Sequence, residues 1–99
     1  MPIHQTARFT VRLESLAKCE QAIREFVAYV KANEPGTLLY VSLQQHDDPT
    51  SFLHYFIFQD EAARDVHANS VGVKRFTDVL YPETLAPVEF VEYSVAATT

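Results

Sequence analysis

Residues 37–59, TLLYVSLQQHDDPTSFLHYFIFQ, decide the fold of this 99-residue chain. Two runs within them, Thr37 to Gln45 and Ser51 to Gln59, are rich in the β-branched and aromatic residues that favour strands. The polar link His46 to Thr50 has the composition of a hairpin loop. The stretch therefore predicts two antiparallel strands joined by a short loop.

Both faces of this predicted hairpin are apolar. One face carries Leu38, Tyr40, Phe52, Phe56 and Phe58, and the other carries Leu39, Val41, Leu43, Leu53, Tyr55 and Ile57. A sheet with one face in water should show polar residues there, because burial of each large apolar side chain contributes about 1.5–3 kcal/mol. We therefore expect helices to cover one face and a second copy of the chain to cover the other, in a twofold homodimer.

Upstream of the hairpin, the apolar period changes once. Residues 7–14 alternate between apolar and polar, which predicts a first strand. From Leu16 to Val30 apolar residues recur every three or four positions, which predicts an amphipathic helix capped by Ser15. Pro35-Gly36 is expected to end this helix in a type II turn, with glycine at positive φ.

Downstream, a second helix and a last strand are predicted. Asp60 stands at a helix N-cap position, and the helix that follows is expected to break near Gly72 and to resume through Leu80. Val88 to Val95 returns to strand composition.

The order of elements is β-α-β-β-α-β, the ferredoxin-like arrangement of the α+β class with a four-stranded antiparallel sheet. The length fits one domain over residues 1–99, with its core in 7–95.

Charge and composition exclude several classes of function. The net charge is −5 and no basic run exceeds Lys74-Arg75, so we expect no nucleic-acid partner. Cys19 is the only cysteine, which suits a reducing compartment. No secretion signal or membrane span is recognisable, so the expected location is cytoplasmic and the membrane is not an expected partner.

Few motifs carry chemistry. Gly36 and Gly72 are the only glycines, so a phosphate-cradling glycine loop is not possible. The four histidines follow no metal-ligand spacing, and no metal site is expected. Cys19 falls on the apolar stripe of the first helix, which favours a packing role.

Two histidines remain as candidates for the interior. His54 alternates with Phe52 and Phe56 along its strand; it either has a chemical role or faces solvent or the dimer seam and satisfies one hydrogen bond. His67 lies one turn after Ala63, and it either acts chemically or braces the break in the second helix.

Four segments, read together, resemble the antibiotic biosynthesis monooxygenase domain family between Ala7 and Tyr93. They are Glu34 to Tyr40, Asp48 to Phe52, Asp60 to Ala63, and His67-x-x-Ser70 through Phe76. The resemblance implies a dimeric α+β barrel with a ligand cavity between each sheet and its helices. Activities in that family include cofactor-free oxygenation of aromatic polyketides and quinols, haem degradation, and isomerisation of a phosphorylated sugar.

The chain departs from the family pattern at informative positions. A Tyr-Glu-Arg-Trp-like run is replaced by Tyr55-Phe56-Ile57-Phe58, which removes the charged pair. Gly72 stands where a second histidine often follows the family's serine. In haem-degrading members a tryptophan matches His67 and the haem ligand matches Thr77, so haem degradation is not expected.

The resemblance implies that His67 is the general base of the site. His67 is the matched residue that can move protons, because a histidine titrates near neutral pH. Ser70 is the expected helper, and Tyr40, His54, Phe58 and Phe76 complete the predicted substrate-binding set. The predicted reaction is oxidation of a small phenol, quinol or polyketide-like compound by O2 without a cofactor.

Two alternatives stay open at this point. One is an isomerase or other proton-transfer enzyme acting on a small carbonyl compound, for which Arg8 and Arg12 are the best-placed phosphate ligands. The other is a non-catalytic dimeric ligand-binding module.

Overall fold

The computed structural model describes all residues from Met1 to Thr99. In chain order its elements are β1 (Ile3–Thr10), α1 (Leu16–Asn33), β2 (Thr37–Gln44), β3 (Ser51–Phe58), α2 (Glu61–Ala68), α3 (Val71–Leu80) and β4 (Glu89–Tyr93). The strands form one sheet in the order β2-β3-β1-β4, and every neighbouring pair is antiparallel. The predicted α+β ferredoxin-like fold is confirmed.

The hairpin of β2 and β3 has the two apolar faces that its sequence predicts. Every second residue of β3 from Phe52 to Phe58 is buried, and these side chains pack beneath the helices. On the other face, Leu43 lies opposite Leu53, and Leu39 and Leu43 are 40% and 49% exposed in the single chain. The homodimer that would cover this outer face stays a prediction.

The first strand lies earlier in the chain than the alternation suggests. β1 pairs with β3 from Ile3 opposite Phe58 to Thr10 opposite Ser51, and Leu13 stands exposed in a 3₁₀ turn. Pairing with β3 decides these limits, since β1 ends at the residue opposite the first residue of β3.

The capping prediction for Ser15 is wrong. Ser15 precedes α1, but it is the last residue of a 3₁₀ turn, its ψ is 2°, and it makes no cap hydrogen bond. A capping residue normally has an extended backbone. The hydroxyl of Ser15 instead donates to Oε1 of the buried Glu83 at 2.6 Å. Arg12 and Lys18 also donate to this carboxylate, and Ser15 and the two cations lower its pKa to about 2.

The turn after α1 does not use a left-handed glycine. No residue of the chain has positive φ, so the predicted type II conformation of Gly36 is wrong. Glycine is required there by packing: a Cβ at Gly36 would lie 2.6 Å from the Cβ of Ala63 in α2. The absence of a side chain at Gly36 therefore lets α2 approach the start of β2.

The break between α2 and α3 falls at Asn69 and Ser70, two residues before the predicted site at Gly72. Ser70 caps α3 by accepting a hydrogen bond from the Val73 N–H at 3.0 Å. The predicted cap at Asp60 is confirmed, because its Oδ1 accepts from the Ala63 N–H at 2.8 Å.

None of the helices combines the length and the apolar composition that crossing a membrane requires.

Candidate functional site

A cavity of about 290 Å³ lies between the sheet and the helices. Thirteen of its eighteen lining residues are hydrophobic, and many of these are aromatic. The polar members of the lining are Gln5, His54, Arg64, His67 and Thr77. Sites for small organic ligands have this composition, with apolar walls and few polar groups that orient the ligand.

His67 is held in the cavity wall by the way α2 begins and packs. The cap at Asp60 starts the helix, and the contact between Gly36 and Ala63 holds it against the sheet. The imidazole then lies among four aromatic rings, with centroid separations from 5.1 to 6.0 Å. These rings belong to Phe26, Tyr40, Phe56 and Phe58.

The two ring nitrogens of His67 have different surroundings. Nδ1 lies 2.7 Å from Oε1 of Glu34. Nε2 makes no hydrogen bond within the chain, and the side chain keeps 13% exposure. A carboxylate accepts hydrogen bonds only, so the proton of the neutral imidazole sits on Nδ1 and Nε2 carries the lone pair. This arrangement suits a base that acts on a molecule in the cavity.

Glu34 is the residue of the candidate site that sequence reasoning missed. It follows the last residue of α1, its side chain is 2% exposed, and Oε1 also accepts from Thr37 Oγ1 at 3.0 Å. Its Oε2 is buried without any hydrogen-bond partner. A signal was present in the sequence, because an acidic residue is unfavourable at a helix C-terminus, where the helix dipole is negative. A carboxylate in that position calls for a compensating partner.

His54 lies on the cavity side of the sheet, buried to 1% exposure, and does not face solvent or the dimer seam. Nδ1 is hydrogen-bonded to the Tyr40 hydroxyl at 2.7 Å and Nε2 to the Ser42 hydroxyl at 2.9 Å. Burial lowers the pKa of His54 to about 4. His54 is therefore a neutral, fully bonded imidazole that positions Tyr40, and it has no free nitrogen to offer a ligand.

The predicted aromatic residues line the cavity. The ring of Tyr40 stacks on Phe56 at 4.9 Å with 6° between the planes, and burial, with a smaller contribution from Glu34, raises the pKa of its hydroxyl. Phe76 stacks on Phe26 at 4.5 Å and 2°. Phe58 is 1% exposed and also belongs to the wall. Flat faces of this kind match a flat aromatic ligand.

Three other predicted residues lie elsewhere. Ser70 is not part of the cavity lining, and its hydroxyl caps α3. Arg8 is an exposed residue of β1 outside the lining, and Arg12 is paired with Glu83. The structure does not bring the two arginines together at the cavity as a phosphate site.

Comparison with known proteins identifies a matching family and solved structures with a similar fold. Residues 2–79 match the model of a family described as antibiotic biosynthesis monooxygenase. No curated protein sequence matches the chain.

Solved structures of the same fold come from several bacteria. SnoaB, a cofactor-independent oxygenase from Streptomyces nogalater, is 20% identical with a TM-score of 0.83, and the alignment covers 98% of this chain and 95% of SnoaB. A Caulobacter crescentus protein, provisionally named an antibiotic biosynthesis monooxygenase, is 20% identical over 97% of this chain and 91% of its own, with a TM-score of 0.89. Rv0793 from Mycobacterium tuberculosis is 15% identical over 99% and 98%, with a TM-score of 0.88. At these identities the likeness establishes the fold alone.

Proposed function

Because the chain belongs to the antibiotic biosynthesis monooxygenase family, we propose that it oxidises a small phenol or quinol with O2 and without a cofactor. The observation that carries the proposal is the free Nε2 of His67 in an aromatic cavity, with Nδ1 bonded to the buried Glu34. SnoaB, which shares the fold, is described as a cofactor-independent oxygenase.

The first step is a proton transfer. The substrate hydroxyl donates to Nε2 of His67, which takes the proton as the phenolate forms. Positive charge then develops on the imidazole, and Glu34 at 2.7 Å stabilises it. That interaction strengthens as the charge forms, so it lowers the barrier more than it stabilises the bound substrate.

The second step is oxidation of the phenolate. With 1-naphthol as the example, the electron-rich ring carbon para to the oxygen gives electrons to O2 and forms a C–O bond. The resulting peroxide anion takes the proton from His67 and becomes a ring hydroperoxide. His67 then removes the proton on that carbon as the O–O bond breaks, which leaves a C=O group and hydroxide. The protonated His67 returns this proton to the hydroxide as water. One oxygen atom of O2 enters the quinone, the other leaves as water, and the substrate supplies all four electrons.

The cavity limits the size of the substrate. An apolar cavity of about 150 Å³ holds one benzene ring. The volume of about 290 Å³ here is about twice that, which favours two fused rings. The apolar walls hold such a ring system flat beside His67 and keep water away from the phenolate.

The expected assembly is a homodimer. The outer face of the sheet places Leu39, Val41 and Leu43 beside Ile57, Tyr55 and Leu53. A second copy packed on this face would remove the apolar strip from water without covering the cavity, which lies on the opposite face.

The test is O2 uptake with 1-naphthol by protein freed of metals and flavins, with 18O2 as the oxidant. The expected product is a quinone that carries one labelled oxygen, with one O2 consumed per turnover. His67→Gln should lower kcat at least about 100-fold, whereas His46→Gln, in the exposed hairpin loop, should not change it.

Three outcomes would contradict the proposal. They are absence of O2 uptake across a panel of naphthols and quinols, a requirement for added metal or flavin, and full activity of His67→Gln. Exchange of a carbon-bound proton of a carbonyl compound, without O2 uptake, would indicate a proton-transfer enzyme that uses the same base.

A further inference from the structure

Arg64 is the one permanently charged side chain in the cavity lining. It is 33% exposed, whereas His54 and Phe58 in the same lining are 1% exposed. Phe90, another lining residue, is 56% exposed. Arg64 and Phe90 therefore mark the rim where the cavity meets solvent.

Arg64 and His67 lie on the same face of α2. Arg64 precedes His67 by three residues in α2, and residues at that spacing share one helix face with their Cβ atoms about 5–6 Å apart. A molecule that donates its hydroxyl to Nε2 of His67 and extends toward the rim would come close to Arg64.

The present partners of Arg64 are exposed carboxylates. Nη1 donates to Oε1 of Glu92 at 3.0 Å, and Nη2 lies 4.0 Å from Oε1 of Glu61. Glu92 is in β4 opposite Gln5, a lining residue, and its side chain is 61% exposed. Glu61 is 84% exposed. Exposed ion pairs contribute little, because water screens them and their long side chains lose freedom.

A carboxylate that arrives with a ligand would bind this arginine better than Glu92 does. The ligand is already held by the cavity, so less freedom is lost, and the pair would lie against apolar walls where screening is weaker. Nη2 of the guanidinium makes no hydrogen bond, and its contact with Glu61 at 4.0 Å is long, so it can complete a two-bond contact with a carboxylate.

We propose that Arg64 determines specificity for hydroxyarenes that carry a carboxylate at the end remote from the hydroxyl, and that Glu92 occupies the arginine until such a substrate displaces it. This inference rests on the proposed function for the orientation of the ligand, with its hydroxyl at His67. The substrate class becomes a bicyclic hydroxy acid.

The experiment measures equilibrium binding by calorimetry without O2, with 6-hydroxy-2-naphthoate and 2-naphthol as a matched pair of probes. Wild type should bind the naphthoate more tightly. Arg64→Gln should weaken naphthoate binding at least about tenfold and leave 2-naphthol binding nearly unchanged. Glu92→Gln should tighten naphthoate binding, because it removes the competing carboxylate. Arg64→Lys keeps the positive charge but cannot make the two-bond contact of a guanidinium. Its affinity for the naphthoate should therefore lie between those of wild type and Arg64→Gln.

The proposal is overturned if wild type does not prefer the naphthoate, if Arg64→Gln weakens both probes equally, or if Glu92→Gln weakens the naphthoate. Thermal unfolding of each variant shows whether loss of binding reflects loss of the fold. Selective naphthoate binding that depends on Arg64, together with no O2 uptake from 1-naphthol, would refute the oxygenase and leave the specificity of Arg64 intact. O2 uptake from 1-naphthol, together with equal affinity for 2-naphthol and the naphthoate, would refute the specificity of Arg64 and leave the oxygenase intact.

Discussion

Nδ1 of His67 lies 2.7 Å from Oε1 of Glu34, although 33 positions separate the two residues in the chain. The contact joins the end of α1 to α2, and it leaves one carboxylate oxygen buried without a partner. An incompletely bonded buried carboxylate costs stability. We interpret the Glu34 carboxylate as part of the catalytic arrangement, since its attraction to His67 is strongest when the imidazole becomes charged.

Glu34→Gln should lower kcat about 100-fold, because an amide can donate to Nδ1 and thereby place the imidazole proton on Nε2, where a base needs its lone pair. KM should change little, since Glu34 lies outside the cavity lining. The measurement is kcat and KM for 1-naphthol at pH 7. Glu25→Gln on the exposed side of α1 is the control. Wild-type kcat for Glu34→Gln would remove Glu34 from the mechanism.

His67→Ala should destabilise the fold by about 1–3 kcal/mol, because it strips the buried Glu34 of its main hydrogen-bond partner. His67→Gln can still donate to Oε1 and should lose less. Urea unfolding of both variants at pH 7 checks this order. In the background of Glu34→Leu, which has no carboxylate to satisfy, His67→Ala should cost clearly less; an equal cost in both backgrounds would mean that the pair contributes nothing.

The free energy of unfolding should fall as the pH drops from about 6.5 to about 4, because of His54. In the folded protein burial keeps this imidazole neutral down to its pKa of about 4, whereas the unfolded chain protonates it below about 6.5. The unfolded state thus binds more protons in this window, which costs up to about 3 kcal/mol of stability at its acidic end.

Urea unfolding at several pH values tests this linkage, with His54→Gln as the comparison. Glutamine can still bond the hydroxyls of Tyr40 and Ser42, but it does not titrate. The variant should lose the part of the pH dependence that His54 contributes. Parallel curves for the two proteins would show that His54 takes up its proton as readily in the folded state as in the unfolded one.

Val41→Asp should convert the expected dimer into a monomer. Val41 lies opposite Tyr55 on the sheet's outer face and has no cationic residue opposite it, so a carboxylate there would be trapped unpaired in the dimer interface. Light scattering after size-exclusion chromatography measures the mass. Val66→Asp, at an exposed position of α2, should leave the dimer intact. A wild-type monomer at micromolar concentration would contradict the proposed assembly.

Patterns between neighbouring residues predicted the elements well. The β-branched and aromatic composition of residues 37–45 and 51–59 placed β2 and β3, and Asp60 marked the start of α2. The predictions failed where the role of a residue depends on a contact with a residue far away in the chain. Gly36 makes room for Ala63, and Ser15 turns to Glu83, 68 positions away.

The candidate site divides in the same way. His67 and the aromatic residues Tyr40, Phe58 and Phe76 were identified through the resemblance to a family. Glu34 was not assigned a role, because nothing in its neighbourhood along the chain shows that its side chain meets an imidazole. Likewise, His54 could not be distinguished from a solvent-facing residue until its contacts with Tyr40 and Ser42 were known.

The amino-acid sequence by itself determined the order of strands and helices and the apolar character of both faces of the β2–β3 hairpin, because hydrophobic periodicity and turn chemistry depend on residues close together in the chain. Only the tertiary structure decided which face encloses the cavity, which nitrogen of His67 is free, and which carboxylate is hydrogen-bonded to the other nitrogen. Those properties depend on distances of a few ångströms between side chains from different elements, and local sequence patterns do not specify such distances.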